Sequence, residues 1–292
     1  MKEALFYEKL EANKVKCRLC PWDCIIVSGK VGVCGVRRNI DGQLTAENYA
    51  QVSSIAIDPI EKKPLYHFHP GSAVLSLGCY GCNLHCGHCQ NWQIAHKHSG
   101  PTEYIPPEKL VELAKENNCQ GIAWTYNEPT IWFEYALKGA KLAKKAGLYT
   151  VFVTNGYINP EPLDMIGPYL DAYSVDIKGF SDQIYKKLAK INGFKPILEA
   201  TVRAKKKWNM HVEVTTLVIP TINDDEAQLK NIAKWIVEEL GPETPWHVSR
   251  FHPCLDYQHL PPTPVETLKM AKEIGLKAGL KYVHIGNVAG MD

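Results

Sequence analysis

Long apolar runs are missing from this sequence. None of its 292 residues belongs to a stretch approaching the roughly 18 consecutive apolar positions of a membrane-spanning helix. An excess of one charge is missing too. The 33 basic and 31 acidic side chains leave a formal charge of +2, too balanced for a dedicated nucleic-acid binder or a polybasic membrane anchor. The opening stretch, MKEALFYEKLEANK, mixes both signs from its second residue and lacks the apolar centre of a signal peptide. Cytoplasm is therefore the expected compartment. There is no internal repeat and no low-complexity tract. Cysteine is scarce after residue 89, where only Cys119 and Cys254 occur.

What is present is enough apolar material, 45% against 22% charged, to build a sizeable core. Eight of the ten cysteines crowd into the first 89 residues: Cys17, Cys20, Cys24, Cys34, Cys79, Cys82, Cys86 and Cys89. A disulfide scaffold would be short, secreted and stapled along its whole length. Close-set cysteines at one end of a long cytosolic chain read instead as metal ligands.

Two regions follow from the patterning. Residues 1–70 hold the first cysteine group, an Asp41-Gly42 turn, a strand around 51–57 and a Pro-marked exit at Pro59 and Pro64. With too little apolar sequence for a core of its own, this segment is expected to be a small Cys-rich module stapled by metal. From Ala73 onward, apolar runs of strand length recur at 73–77, 121–125, 149–154, 172–177, 211–219, 246–251 and 282–285. Helical patterns lie between them. The clearest runs through Trp132, Tyr135, Ala136, Gly139, Leu142, Ala143 and Ala146 at amphipathic spacing, and Asp224 and Asp225 open another. Continuously apolar strands imply a parallel α/β sheet, either a complete or partial (βα) barrel or an open doubly wound sheet. In both, ligands gather at the carboxyl ends of the strands.

One of those ends carries LGCYGCNLHCGHCQNW, residues 77–92. Cys82, Cys86 and Cys89 follow a Cys-x3-Cys-x2-Cys spacing and could hold three irons of a [4Fe–4S] cluster, leaving a fourth iron open to chemistry. A structural zinc knuckle is the alternative. Cys79, two residues before the Gly81-Cys82 step, would make a closed four-thiolate site with the other three.

Later strand ends are polar. The second reads Tyr126-Asn127-Glu128-Pro129, the third Thr154-Asn155-Gly156, the fourth Asp176-Ile177-Lys178 and the sixth Arg250-Phe251-His252-Pro253. Taken singly, each has an ordinary explanation: a turn at Asn155-Gly156, a satisfied ion pair at Asp176 and Lys178, a helix-start carboxylate at Glu128, a hydrogen-bonded scaffold His252. Four in succession downstream of one cluster motif suggest a shell around a ligand.

The motif and its place after the first strand resemble those of the radical S-adenosylmethionine (radical SAM) superfamily. That resemblance implies a partial (βα)6 TIM-type barrel over residues 71–292 and a [4Fe–4S] cluster on Cys82, Cys86 and Cys89. It also implies an S-adenosylmethionine whose reductive cleavage gives a 5′-deoxyadenosyl radical that abstracts hydrogen from a substrate. His88 takes the place of an aromatic residue that touches adenine. Tyr126, Asn127 and Glu128 stand where the superfamily usually has Gly-Gly-Glu. Thr154, Asn155, Asp176, Lys178 and His252 resemble cofactor-contacting residues of glycyl-radical activating enzymes, with Val153 replacing an acidic residue often found there. A flavodoxin or ferredoxin is the implied reductant.

Cys17-x2-Cys20-x3-Cys24-x9-Cys34 is a second group of four thiols. It could bind zinc or another iron–sulfur cluster, or be free. The stretches CRLCPWDC, GVCGVRRNIDGQL, DPIEKKPLYHFHPGS and SLGCYGCNLHCGHCQNW together resemble the AmmeMemoRadiSam-system branch of the superfamily, related to pyruvate formate-lyase-activating enzymes. This implies AmmeMemo-type proteins as associates and leaves the substrate open, with a partner protein or peptide favoured by the likeness to activating enzymes. Members of the branch often continue from a Gly-Asn-Val segment, here Gly286-Asn287-Val288, into a further cysteine pair. A non-catalytic zinc or iron–sulfur protein with closed four-Cys sites is the rival reading, and Cys79 is its support.

Overall fold

The structure is a computed structural model that describes residues 1–97 and 100–291. Its centre is one eight-stranded sheet. β1 (Ser54–Pro59) runs antiparallel to β2 (Ala73–Gly78). β3 (Gly121–Trp124), β4 (Tyr149–Thr154), β5 (Ala172–Asp176), β6 (His211–Val218), β7 (Trp246–Arg250) and β8 (Val283–Gly286) then follow β2 in parallel, each beside its predecessor in the chain. A doubly wound sheet has to reverse its order at a switch point, and this one never does. Six strand–helix units and a seventh parallel strand therefore wind in one direction as a partial barrel, and among the described residues β1 and β8 end the strand order without pairing with each other. The sheet reaches back into the segment before residue 71 through β1.

The strands form where apolar residues predominate at successive positions, because both of their faces are covered; all four residues of β3 are buried. Among the outer helices, α1 (Pro107–Glu116) starts on a proline. α2 (Phe133–Lys145) turns Phe133, Ala136, Gly139, Ala140 and Ala143 to the core. At Gly139 a Cβ would lie 2.7 Å from the Trp124 ring, so this helix approaches the sheet through a residue with no side chain. The Asp225 side chain caps α3 (Glu226–Trp235) by accepting from the Gln228 N–H.

The amino ends of β6–β8 are closed by the segment following β1. Buried Glu213 accepts from His247 Nε2 at 2.6 Å, His211 Nε2 at 2.9 Å and the backbone N–H groups of Tyr66 and His67 at 3.1 and 2.8 Å. The carboxyl ends remain for a site.

Ahead of β1 lie two small antiparallel sheets. In one, Arg37–Ile40 and Gln43–Ala46 form a hairpin. Asp41 and Gly42 connect them with φ of +49° and +86°, the two left-handed positions of a two-residue turn matched to strand twist. This region has no detached core. Phe6 packs edge-on against Phe133 of α2 at 5.3 Å between ring centroids, and the Leu5 N–H donates to Glu134 at 2.8 Å.

Candidate active site

The loop after β2 carries the three motif cysteines and is held from every side. Gly87 N–H donates to Leu188 O and His85 N–H to Ala189 O, both at the end of the helix Asp182–Ala189. The Asp256 N–H donates to Gly87 O at 2.9 Å, and the Cys254 thiol to His88 O at 3.2 Å. Asn91 Nδ2 donates to Tyr126 O at 2.6 Å. Tyr126 itself has φ of +70°, a strained conformation for a side-chain-bearing residue. Its hydroxyl donates to Asp58 at 2.7 Å, while Lys63 lies over its ring.

Cys86 is buried and Cys82 and Cys89 are half-buried. Burial, reinforced by the neighbouring sulfurs, pushes the Cys89 thiol up to about 12 and the Cys82 thiol well above its ordinary value. Burial also raises Cys86, but Lys178 opposes it. Two N–H groups approach the Cys82 sulfur, Leu84 N at 3.4 Å and Asn155 Nδ2 at 3.7 Å. Such donors favour the thiolate, so the set is suited to a bound iron centre that displaces the protons.

Cys79 is not part of this group. Its fully buried sulfur accepts from Asn127 Nδ2 at 3.3 Å and Asn48 Nδ2 at 3.5 Å, and its S–H points to Tyr80 O. Sequence spacing allowed a closed four-thiolate site; instead, Asn48 and Asn127 occupy the Cys79 sulfur.

The polar strand ends are brought together, chiefly with one another. Glu128 is fully buried and accepts from Thr154 Oγ1 at 2.7 Å, Asn155 N at 2.8 Å and Thr130 N at 2.9 Å. Burial raises its carboxyl pKa although all three bonds favour the ion. Asn155 Nδ2 donates to Asn83 Oδ1 at 2.9 Å, and Asn83 Nδ2 to Tyr157 O at 2.7 Å, tying β4 to the cysteine loop. Asn127 spans the same loop, accepting from Cys79 N and donating to Gly81 O.

Lys178 and His88 are different. Lys178 is buried and pairs with Asp176 at 2.8 Å. Burial works to lower its pKa, but Asp176 and Cys86 outweigh it and hold the ammonium charged. His88 is buried with Nδ1 unpartnered and its ring stacked on Tyr257 at 6.3 Å between centroids. Burial, with Lys178 nearby, keeps it neutral. The structure leaves His252 exposed beyond β7 and brings it into none of these bonds. Arg250 Nε donates to Thr263 O and Phe251 N to Thr263 Oγ1, which fix the strand end while the chain turns outward.

Asn83, Asn91, Cys254 and Asp256 also build the site. Asn83 and Asn91 lie inside the cysteine motif and were open to notice; Cys254 and Asp256 reach it from the far end of the chain. Among the described residues, no group of three or more His, Cys, Asp or Glu side chains stands where it could hold a single metal ion.

A partial barrel with three clustered cysteines on the loop after its first parallel strand defines the class: an enzyme fold built around a catalytic iron–sulfur cluster. The model of the Radical SAM superfamily matches residues 77–233, and the chain belongs to that superfamily. An uncharacterized protein of Methanocaldococcus jannaschii is 48% identical over 99% of this chain and 86% of its own length. The pyruvate formate-lyase 1-activating enzyme of Escherichia coli K12 is 24% identical over 50% of this chain and 61% of its own. In fold, the chain is similar to a radical SAM methyltransferase from Sphaerobacter thermophilus, with a TM-score of 0.60 at 16% identity, covering 77% of this chain and 69% of that one. The family implies a [4Fe–4S] cluster and S-adenosylmethionine, and the three cysteines fit such a cluster in chemistry and burial, with N–H support at Cys82. In the described residues no helix is long and apolar enough to cross a membrane.

Proposed function

We propose that this radical SAM enzyme abstracts hydrogen from a partner protein or peptide, as glycyl-radical activating enzymes do, and that Cys82, Cys86 and Cys89 hold its cluster. When bound, the cluster supplies the electron that cleaves the sulfonium bond of S-adenosylmethionine. The observation carrying the cofactor assignment is Lys178, a buried cation at the end of β5 that is paired with Asp176 and within electrostatic reach of Cys86. It is placed to receive the cofactor carboxylate by a charge-assisted bond. His88 offers a neutral ring and a free Nδ1 for the adenine. Glu128, Thr154, Asn155 and Asn127 act as a frame that sets the loop, with Tyr126 shaping the entry. The protein contributes orientation and exclusion of water.

A macromolecular substrate is supported by the similarity to pyruvate formate-lyase 1-activating enzyme and by a barrel whose two edge strands do not pair with each other among the described residues, leaving a side through which a polypeptide loop can enter. In this reading residues 1–70 are an accessory module of the 71–292 core, a flavodoxin or ferredoxin is the reductant, and the enzyme works in the cytoplasm beside AmmeMemo-type proteins. Anaerobic reconstitution with S-adenosylmethionine and deuterated candidate partners tests it. Deuterium in 5′-deoxyadenosine is the expected result; cleavage of S-adenosylmethionine at the normal rate by a Cys86→Ala variant would refute the cluster assignment.

A further inference from the structure

A second set of sulfurs lies outside that site. Cys17, Cys20, Cys24 and Cys34 line one small cavity of about 10 Å³ together with Arg37 and Ile131.

Arg37 gives the independent sign. Its side chain is 1% exposed, and Glu134 takes only Nη2, at 2.7 Å. Nε and Nη1 are buried with no hydrogen-bond partner. Two orphaned donors on a buried cation are costly, and Arg37 lines the same cavity as the four cysteines. Four thiolates around a divalent ion carry a net charge of about −2, which would give both donors acceptors and the guanidinium a counter-charge.

We propose that Cys17, Cys20, Cys24 and Cys34 bind a closed metal–thiolate centre distinct from the catalytic cluster, and that Arg37 stabilises its negative charge through the donors Glu134 leaves free. No three of the four sulfurs stand within grasp of a bare ion, so loading draws them inward across a cavity with room for about one small sphere. The centre braces the catalytic loop. Trp22 Nε1 donates to Asn83 O at 2.7 Å, His85 Nε2 lies 3.2 Å from Val33 O, and a Cβ on Gly81 would meet Cys34 O at 2.6 Å.

The test uses the full chain lacking its catalytic ligands, Cys82→Ala/Cys86→Ala/Cys89→Ala, purified anaerobically with zinc, and separately with iron and sulfide. This variant is expected to keep either about one zinc or about four irons per chain, the metal found identifying the centre. Adding Cys20→Ser and Cys34→Ser should abolish it. Arg37→Met should weaken retention against a chelator about tenfold or more, and Arg37→Lys should restore part of the loss. Where a variant misfolds by circular dichroism, thiol titration of the triple-alanine protein decides instead: the four sulfurs should be protected until chelator is added. A folded triple-alanine protein with neither metal, or unchanged metal after loss of Cys20 and Cys34, would overturn the proposal. The readout is metal content, so its failure is separable from failure of the radical chemistry.

Discussion

Glu128→Ala is expected to be severe, and its cost can be worked from the bonds on one carboxylate. Removing it leaves three buried donors unanswered: Thr130 N, Thr154 Oγ1 and Asn155 N. Each unsatisfied buried donor costs about 1–3 kcal/mol, for a gross loss of roughly 3–9 kcal/mol. The carboxylate is fully buried, with its pKa raised by burial, so its removal relieves a desolvation penalty of several kcal/mol and brings the net loss to about 3 kcal/mol. For a chain of this size that is a fall in Tm of about 5 °C. Glu128→Gln keeps an acceptor for Thr130 and Thr154 but presents an NH2 to Asn155 N, so it should fall between wild type and Ala. Anaerobic thermal melts of the cluster-free proteins at matched scan rate measure this. The reasoning also requires a second effect, since Asn155 is the link from β4 to Asn83: iron loading of Glu128→Ala should drop with its stability. A Glu128→Ala protein within about 1 kcal/mol of wild type, with full iron content, would show that the carboxylate holds nothing in place.

Cys79→Ser should retain iron and cleave S-adenosylmethionine, because its sulfur is engaged by Asn48 and Asn127 rather than facing the motif cysteines; loss of iron, measured by absorbance and ferrozine, would contradict the geometry. Lys178→Met should leave iron content intact while weakening S-adenosylmethionine binding by roughly ten- to a hundredfold, the worth of one charge-assisted bond, as read by equilibrium dialysis; unchanged affinity would remove Lys178 from the cofactor. Acid should destabilise the fold in two windows. Burial, with His247 and His67 nearby, lowers His284 from 6.5 to about 4, so its contribution is present above 6.5 and is lost as pH falls toward 4. Burial opposes ionisation of Glu213, but bonds from His211 and His247 prevail and lower it from 4.5 to about 2, so its contribution fades between those values. Melting temperatures across pH 7 to 4 should fall, and His284→Gln should flatten that stretch; a melting temperature that rises on acidification would refute the assignment.

Seven parallel strands were legible because each is rich in apolar residues on both faces, the pattern that burial on both faces produces. β1 was seen only as a strand around 51–57, since at the sheet edge it alternates, exposing Ile55 and Ile57, and it ends on Pro59. Sequence pattern left open a barrel or a doubly wound sheet, because strand order is a property of pairing and not of any single strand. In the site, the motif cysteines were visible as spacing and the later residues as strand ends. Their partners were not: the Cys254 thiol meets His88 O across 166 residues, and nothing local distinguishes Cys254 from a free thiol. His252 was placed in the shell by resemblance alone; it stands exposed just after the strand end that Thr263 fixes.

The same bonds explain why a shell of polar strand ends need not be a shell of ligand contacts. A buried side chain can hold a ligand only with hydrogen-bonding capacity that the protein leaves open. Glu128 already accepts three bonds, Asn155 uses its amide on Asn83 and its carbonyl on the Tyr157 N–H, and Asn127 uses both ends on the cysteine loop. Lys178 has an ammonium with three donors and only Asp176 engaged, and His88 has an unpartnered Nδ1. The set of polar strand ends thus divides by hydrogen-bonding capacity: Lys178 and His88 are buried with capacity left open, while Glu128, Asn155 and Asn127 are bonded to the loop on which the cysteines sit or to one another. Substitutions in the second group should act on stability and iron retention together, whereas those in the first should change cofactor affinity in a protein that still folds and still binds iron.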